Sequence, residues 1–238
     1  MPFMLSSLLC LLVWTLLFVL INEFPEQTVQ INTFKDIFAR FVHTWKFAWL
    51  AFLPAFGYGF LEATLNGSFP VYGLRIGLSI SQVSMLLFAF AIGGILFQLP
   101  LGMLSDQYGR RRVLVIVCSL GGLCFTGASL FEETFVAILI CIFIAGMVVG
   151  STFSLGISFM ADLTPKNLLP TGNLLCGIAF SIGSLTGPYI GGLFIQHTKD
   201  ISLFMIFSAM LFLLSMIILV FQIDGARTFV RIKPKALK

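Results

Sequence analysis

Long apolar stretches separated by short polar segments run through the whole chain. A helix needs about 20 mostly apolar residues to cross the hydrocarbon core of a bilayer. Seven stretches are apolar over about that length: 3–21, 47–69, 81–104, 113–131, 135–161, 171–195 and 202–222. Each is continuously apolar, whereas the strands of a membrane barrel alternate, so helices are expected. The pattern predicts an all-α polytopic membrane protein with seven transmembrane helices.

The composition excludes most soluble classes of protein. Hydrophobic residues make up 58% of the 238 residues and charged residues 10%. A soluble domain carries about 25% charged residues, so a soluble enzyme, a nucleic-acid-binding domain and a disordered chain are excluded. The five cysteines lie in the apolar stretches without a C-x-x-C pair, which is typical of small buried side chains. We expect no metal site and no cofactor.

The net charge of +4 is explained by topology rather than by a nucleic-acid partner. If the loop at 107–112 lies in the cytoplasm, only Arg75 and Lys199 of the 14 Lys and Arg residues fall on the outer side. This asymmetry is the one that the positive-inside rule describes. We therefore expect the C-terminus to be cytoplasmic.

The long segment between the first two apolar stretches has a helical period of its own. Apolar side chains recur there every three or four residues, at Ile31, Phe34, Phe38, Phe41 and Trp45. This predicts an amphipathic helix on the cytoplasmic membrane surface, or alternatively a linker helix that packs on the ends of the spans. The predicted organisation is a first transmembrane helix (1–22), a linker (23–46), a six-helix bundle (47–222) and a basic tail (223–238).

The loop after the third apolar stretch carries the most specific motif. Residues 102–114 read G-M-L-S-D-Q-Y-G-R-R-R-V-L. This segment resembles the A motif of the major facilitator superfamily, G-x-L-[SA]-D-x-x-G-R-[RK]-x-x-L, a family of membrane transporters. The matching residues are Gly102, Asp106, Gly109, Arg110 and Arg111. The chain has no G-x-S-x-G, H-E-x-x-H or P-loop motif, so we expect neither an enzyme nor direct use of ATP.

Each residue of this motif has a physical reason to be there. Gly102 would let two helix ends approach closely, and Gly109 would permit a left-handed turn. Asp106 could pair with the N-terminus of a neighbouring helix. Arg110 could reach Asp162 at the end of the fifth stretch, which would form a latch that holds one conformation closed on the cytoplasmic side. A basic loop that only fixes topology is the alternative.

The sixth stretch carries a second resemblance. Residues 183–192 read G-S-L-T-G-P-Y-I-G-G, which is similar to the core of the C motif found in antiporters of the same superfamily. The matching residues are Gly183, Gly187, Pro188, Gly191 and Gly192. Small residues every four positions predict a flat face for close helix packing, and Pro188 predicts a kink. A packing face without any role in antiport is the alternative.

The resemblance also implies which part of a transporter the chain represents. The superfamily consists of two related halves of six helices, and the fourth helix of the first half carries an arginine, the B motif. No arginine stands at that position, around Ile142. The chain therefore resembles helices six to twelve, with residues 1–22 as helix six and 47–222 as the C-terminal bundle. We expect it to be part of a longer protein whose N-terminal half is its partner, in cis or in trans.

One ionisable residue, Glu62, lies within a predicted span away from its ends. Placing a carboxylate inside the bilayer costs free energy, and residues of this kind within spans are usually functional. Asn66 lies four residues on and shares the same helix face. We predict that Glu62 and Asn66 bind substrate or a coupling proton, with Gln82 and Gln98 as weaker candidates for the same cavity. A carboxyl hydrogen-bonded inside the bundle is the alternative.

These observations predict a transporter of a small molecule in the lipid bilayer of the plasma membrane. The resemblance implies alternating access with secondary, ion-coupled transport, and protons and efflux are favoured. Half a cavity would not transport alone. Two other classes stay open: a half-transporter that forms a homodimer, and a membrane remnant or interaction protein that transports nothing.

Overall fold

The computed structural model describes residues 2–20, 34–198 and 201–221, and every regular element in these ranges is helical. The helices are α1 (Pro2–Leu20), α2 (Phe34–Gly67), α3 (Phe69–Arg75), α4 (Ile80–Tyr108), α5 (Arg110–Leu130), α6 (Phe135–Val149), α7 (Thr152–Leu163), α8 (Leu169–His197) and α9 (Leu203–Val220). The chain divides into two compact units, Met1–Ile37 and Phe38–Lys238. The helix bundle described below belongs to the second unit.

Six helical segments are long and apolar enough to cross a membrane within the described ranges: Lys35–Gly67, Ile80–Tyr108, Arg110–Leu130, Phe135–Leu163, Lys166–His197 and Leu203–Val220. They confirm the predicted all-α, polytopic class. The apolar segment Ser6–Phe18 of α1 is shorter and is not one of these six. The predicted count of seven transmembrane helices is therefore not confirmed.

Helix α2 begins well before the predicted span. The sequence predicts a separate amphipathic helix that ends at residue 46, but residues 34–67 form one continuous helix. No Gly or Pro stands between Phe34 and Pro54, so nothing in the backbone ends the helix at the polar–apolar boundary. The helix thus continues across the predicted boundary at residue 46. The role of the segment as a cytoplasmic amphipathic linker stays a prediction, and its residues 23–33 lie outside the described ranges.

The predicted span at 135–161 consists of two helices. Helix α6 ends at Val149, and α7 begins at Thr152 after a turn at Gly150 and Ser151. A Cβ atom at Gly150 would lie 2.5 Å from the Cα atom of Gly94 in α4. Since no side chain fits there, the glycine permits α4 to pass the break at backbone distance.

The buried side chains form two clusters along the bundle. The cluster at the α3 end contains four fully buried phenylalanines, Phe69, Phe125, Phe204 and Phe207. Their ring centroids lie 5.1 Å apart for Phe125 and Phe207, and 5.5 Å apart for Phe69 and Phe204. The second cluster lies at the other end, where α4 turns into α5. We call the two ends the α3 end and the α4–α5 end.

Candidate functional site

A cavity of ≈ 240 Å³ lies between α2 and α4, beside the break between α6 and α7. Helix α2 contributes Tyr58, Glu62 and Asn66 to its wall, and α4 contributes Phe90 and Gln98. The structure thus brings Glu62, Asn66 and Gln98 together as predicted. Gln82 is not part of this wall, because its side-chain oxygen accepts from the backbone N–H of Ser79 at 2.8 Å and caps α4.

The carboxylate of Glu62 has no partner of its own in the described part of the chain. No hydrogen bond or ion pair there involves its side-chain oxygens, although its backbone oxygen accepts a bond from Asn66 Nδ2 at 2.9 Å. None of the eleven residues that line the cavity is basic. The cavity therefore presents one acidic side chain, two amides and a phenol, with apolar walls.

An aromatic group adjoins Glu62 on the α2 side of the cavity. Tyr58 lies one helical turn before Glu62, and its ring centroid lies 6.2 Å from that of Phe153 and 6.4 Å from that of Phe180. The rings of Phe153 and Phe180 are 5.2 Å apart. The sequence did not predict this group, because its members come from α2, α7 and α8.

The wall opposite α2 depends on a close crossing of α4 and α6. A Cβ atom at Gly146 would lie 2.2 Å from the backbone oxygen of Phe90, and one at Gly93 would lie 2.6 Å from that of Phe143. Glycines at such crossings let helix backbones touch. This contact was not predicted, although the spacing of Gly146 and Gly150 is the small-xxx-small signal that could have indicated it.

At the α4–α5 end, Arg110 joins three elements. Its Nε atom lies 3.2 Å from Asp162 Oδ2, one Nη atom lies 3.1 Å from Asp106 Oδ1, and the other donates to the backbone oxygen of Ser158. The predicted contact between Arg110 and Asp162 is confirmed. We call Asp106, Arg110, Ser158 and Asp162 the Arg110 cluster. It connects the end of α4, the start of α5 and the end of α7.

The predictions for the two glycines and the aspartate of the A motif agree with the structure only in part. Gly109 has φ +92°, so the predicted left-handed turn is confirmed. Close approach at Gly102 is wrong for the described residues, since a Cβ atom there would meet nothing within 4 Å. Asp106 pairs with the side chain of Arg110, the first residue of α5, and no bond to the backbone amides of another helix is present among the described contacts.

Arg111 has a role that the sequence did not indicate. Its Nε atom donates to the backbone oxygen of Ile218 at 3.0 Å, and an Nη atom donates to that of Leu219 at 2.8 Å. These oxygens belong to the last turn of α9, where backbone acceptors have no partner within the helix. A cation is also favoured at that end of the helix dipole. Arg111 therefore caps the C-terminal end of α9.

Three glycines of the C-like motif bring α8 against α2. A Cβ atom at Gly183 would lie 2.1 Å from the backbone oxygen of Phe56, and one at Gly187 would lie 2.4 Å from that of Phe60. Gly191 is similarly close to Thr64, while a Cβ at Gly192 would meet nothing within 4 Å. The predicted packing face is confirmed for three of its four glycines.

Pro188 belongs to the same contact between α8 and α2. Its backbone oxygen accepts a hydrogen bond from Ser68 Oγ at 3.1 Å, and its Cβ atom lies 3.5 Å from the position of a Cβ at Gly67. Helix α8 continues through the proline from Leu169 to His197. The motif therefore acts as a packing surface here, and any role in antiport stays a prediction.

A polar cluster closes the α3 end and was not predicted either. Glu132 Oε1, between α5 and α6, accepts hydrogen bonds from Tyr72 Oη at 2.7 Å and from Ser202 Oγ. Ser202 in turn accepts from the backbone N–H of Phe204 at 3.1 Å and caps α9. Burial raises the pKa of the Tyr72 hydroxyl to about 12. We call Tyr72, Glu132 and Ser202 the Glu132 cluster.

Comparison with known proteins places these features in a family. Residues 51–236 match the family model described as Major Facilitator Superfamily. The chain is 52% identical over 204 residues to "Uncharacterized MFS-type transporter YfkF" of Bacillus subtilis (strain 168), an alignment that covers 86% of this chain and 52% of that protein.

More distant relatives give the same result. The chain is 26% identical over 164 residues to "Uncharacterized MFS-type transporter YcaD" of Escherichia fergusonii, which covers 68% of this chain and 41% of the relative. The chain thus spans about half the length of these relatives, or less. With the family match over most of its residues and six apolar helices, it is an integral, multi-pass membrane protein that belongs to the major facilitator superfamily.

Proposed function

We propose that the chain is the C-terminal half of a transporter that moves a small molecule across the plasma membrane by alternating access. The cavity around Glu62 carries this proposal, because a carboxylate without a partner in a membrane-spanning bundle is costly unless it serves function. The match to about half of each relative supports a half-transporter, and the lack of an arginine near Ile142 favours the C-terminal half.

The uneven burial of the spans supports the proposal that a second half packs against this chain. Only 22% of the α4 span is buried within the chain, whereas the other five spans are 39–67% buried. Helix α4 also forms one wall of the cavity. An N-terminal half, in cis or in trans, would cover this helix and complete the cavity.

In this proposal a proton gradient drives transport through Glu62, and the Arg110 cluster acts as the conformational latch. The α4–α5 end is cytoplasmic, as the positive charges of Arg110, Arg111, Arg112 and Lys166 favour. Efflux is the favoured direction, which rests on the likeness of residues 183–192 to an antiporter motif. The ion pairs of the latch are half-exposed and individually weak, as a contact that opens in every cycle requires.

Uptake of unknown substrates into everted vesicles tests this function. The chain would be co-expressed with the part of the Bacillus subtilis relative that it does not match. The vesicles are incubated with a cell extract, and retained metabolites are identified by mass spectrometry with and without a proton gradient. We expect at least one compound to accumulate only with the gradient, and Glu62→Gln to abolish its accumulation.

Matched controls define the outcome. Glu133→Gln removes an exposed carboxylate outside the cavity and should leave accumulation unchanged. The chain without the second half should accumulate nothing, and uptake by the chain alone would contradict the half-transporter proposal in favour of a homodimer. Equal retention by vesicles with and without the two halves would refute transport.

A further inference from the structure

We propose that the cavity around Glu62 binds an organic cation with an aromatic or apolar body. This inference rests on the proposed function, since it names the substrate class of the same site. It follows from three features of the cavity: its charge, its aromatic neighbour and the placement of its amides.

The charge of the cavity selects a cation. Among the described residues that line the cavity, Glu62 is the only carboxylate, and none of them is Lys, Arg or His. Glu62 is partly buried, and an ionised carboxylate that loses part of its hydration without gaining a partner is disfavoured. A cationic ligand supplies the missing partner, an anion adds like-charge repulsion, and a neutral ligand leaves the carboxylate uncompensated.

The aromatic group favours an organic cation over a metal ion. Tyr58 lines the cavity one turn from Glu62 and is flanked by Phe153 and Phe180, and Phe90 lines the wall across from it. Aromatic faces attract cations, and quaternary ammonium ions are recognised in aromatic surroundings. A metal ion would instead require several oxygen ligands at short range, and this cavity offers one carboxylate.

The amides leave the carboxylate free for the ligand. Asn66 Nδ2 donates to the backbone oxygen of Glu62 rather than to its side chain, and Gln98 lines the cavity from α4. Neither amide neutralises the acidic group. Glu62 is therefore the recognition group, with Tyr58 beside it, and the apolar walls contributed by Leu65, Leu87 and Ile95 accommodate the body of the ligand.

Binding of two isosteric probes in nanodiscs tests the proposal, with the 238-residue chain co-expressed with the part of the Bacillus subtilis relative that it does not match. Benzyltrimethylammonium and neopentylbenzene have the same shape, but a quaternary nitrogen in the first replaces a quaternary carbon in the second. Equilibrium dialysis gives the affinity of each. We expect the cation to bind about tenfold more tightly, or better, than its neutral isostere.

Variants separate the contributions of charge and ring. Glu62→Gln should weaken binding of the cation about tenfold and leave the neutral probe unchanged, whereas Glu62→Asp should retain a preference for the cation. Tyr58→Leu should weaken the cation several-fold, and Tyr58→Phe much less because it keeps the ring. Glu133→Gln should behave as wild type. Size-exclusion profiles verify that each variant is folded.

Two results would overturn the inference: equal affinities for the two probes, or undiminished cation binding by Glu62→Gln. These failures differ from failure of transport. Metabolite uptake that depends on Glu62, together with no preference for the cation, would keep the transporter and reject the substrate class. Cation binding that depends on Glu62, with no uptake by the two halves together, would keep the site and reject transport.

Discussion

Three consecutive arginines at the start of α5 have three different environments. Arg110 binds two carboxylates, Arg111 binds the last carbonyl oxygens of α9, and Arg112 is exposed without a polar contact among the described residues. The partner of Arg110 was predicted, because Asp162 stands at the end of the fifth apolar stretch, on the same predicted side of the membrane. It could not predict the partner of Arg111, because backbone acceptors leave no mark in the sequence.

Arg111→Gln should loosen the end of α9. The change removes two hydrogen bonds from a charged donor, each of which contributes about 1.5–3 kcal/mol at most, and leaves the last turn of α9 uncapped. Hydrogen exchange should accelerate several-fold at the amides of residues 217–221. Arg112→Gln is the matched control in the same turn of α5 and should leave this exchange unchanged. Equal acceleration in both variants would contradict the capping role.

The Tyr72 hydroxyl should make stability depend on alkaline pH. Its pKa is 10.0 in an unfolded chain and about 12 in the fold, so the folded state holds its proton more tightly. The resulting stability is complete below pH 10 and is lost as the pH rises towards 12. The loss is at most ~2.7 kcal/mol, since each pKa unit corresponds to about 1.36 kcal/mol.

Chemical unfolding in detergent at pH 9 and pH 11.5 measures this loss. Tyr72→Phe should be less stable than wild type at pH 9, because Glu132 loses a donor, and should lose less stability between the two pH values. Tyr108→Phe changes an exposed ring and should follow wild type. Identical pH dependence in Tyr72→Phe and wild type would refute the contribution.

At the scale of elements, glycine decides which helices touch. Helices α2 and α8 meet through Gly183, Gly187 and Gly191, and α4 and α6 meet through Gly93 and Gly146. The packing face on α8 was predicted from its period of four, since glycine at that spacing gives an apolar helix a flat face that a second backbone can approach; that α2 is its partner was not predicted. The second contact was not predicted, although Gly146 and Gly150 have the same spacing of four.

Gly187→Ala should disrupt the contact between α2 and α8. The new methyl group would lie 2.4 Å from the backbone oxygen of Phe60, and backbone cannot move aside as a flexible side chain can. Overpacking of this kind costs about 1–3 kcal/mol. Thermal unfolding in detergent should therefore begin at a lower temperature than in wild type.

Gly192→Ala provides the control on the same helix. Its Cβ atom would meet nothing within 4 Å, and alanine is favoured over glycine in helices by up to ~1 kcal/mol. The variant should be as stable as wild type or more stable. If Gly187→Ala and Gly192→Ala had the same effect, the close contact would not be what requires glycine at position 187.

At the scale of the whole molecule, the apolar pattern predicted the class of fold and the approximate position of six spans. It placed the helix boundaries less well where they do not follow the change from apolar to polar residues. Examples are the break between α6 and α7 and the start of α2, which continues across the predicted boundary. Glu62, Asn66 and Gln98 were found because polar groups are rare in spans. Tyr58 and the Glu132 cluster were not, because their partners are distant in the chain.

The two glycine contacts join four helices in two closely packed pairs, α2 with α8 and α4 with α6. The Glu62 cavity lies between the two pairs, since α2 and α4 contribute its walls. Two helices whose backbones touch cannot slide past each other, whereas the cavity leaves space between the two pairs. A spin label on α2 paired with one on α4 should therefore report any change in the width of the cavity, whereas the distance from α2 to a label on α8 should stay constant.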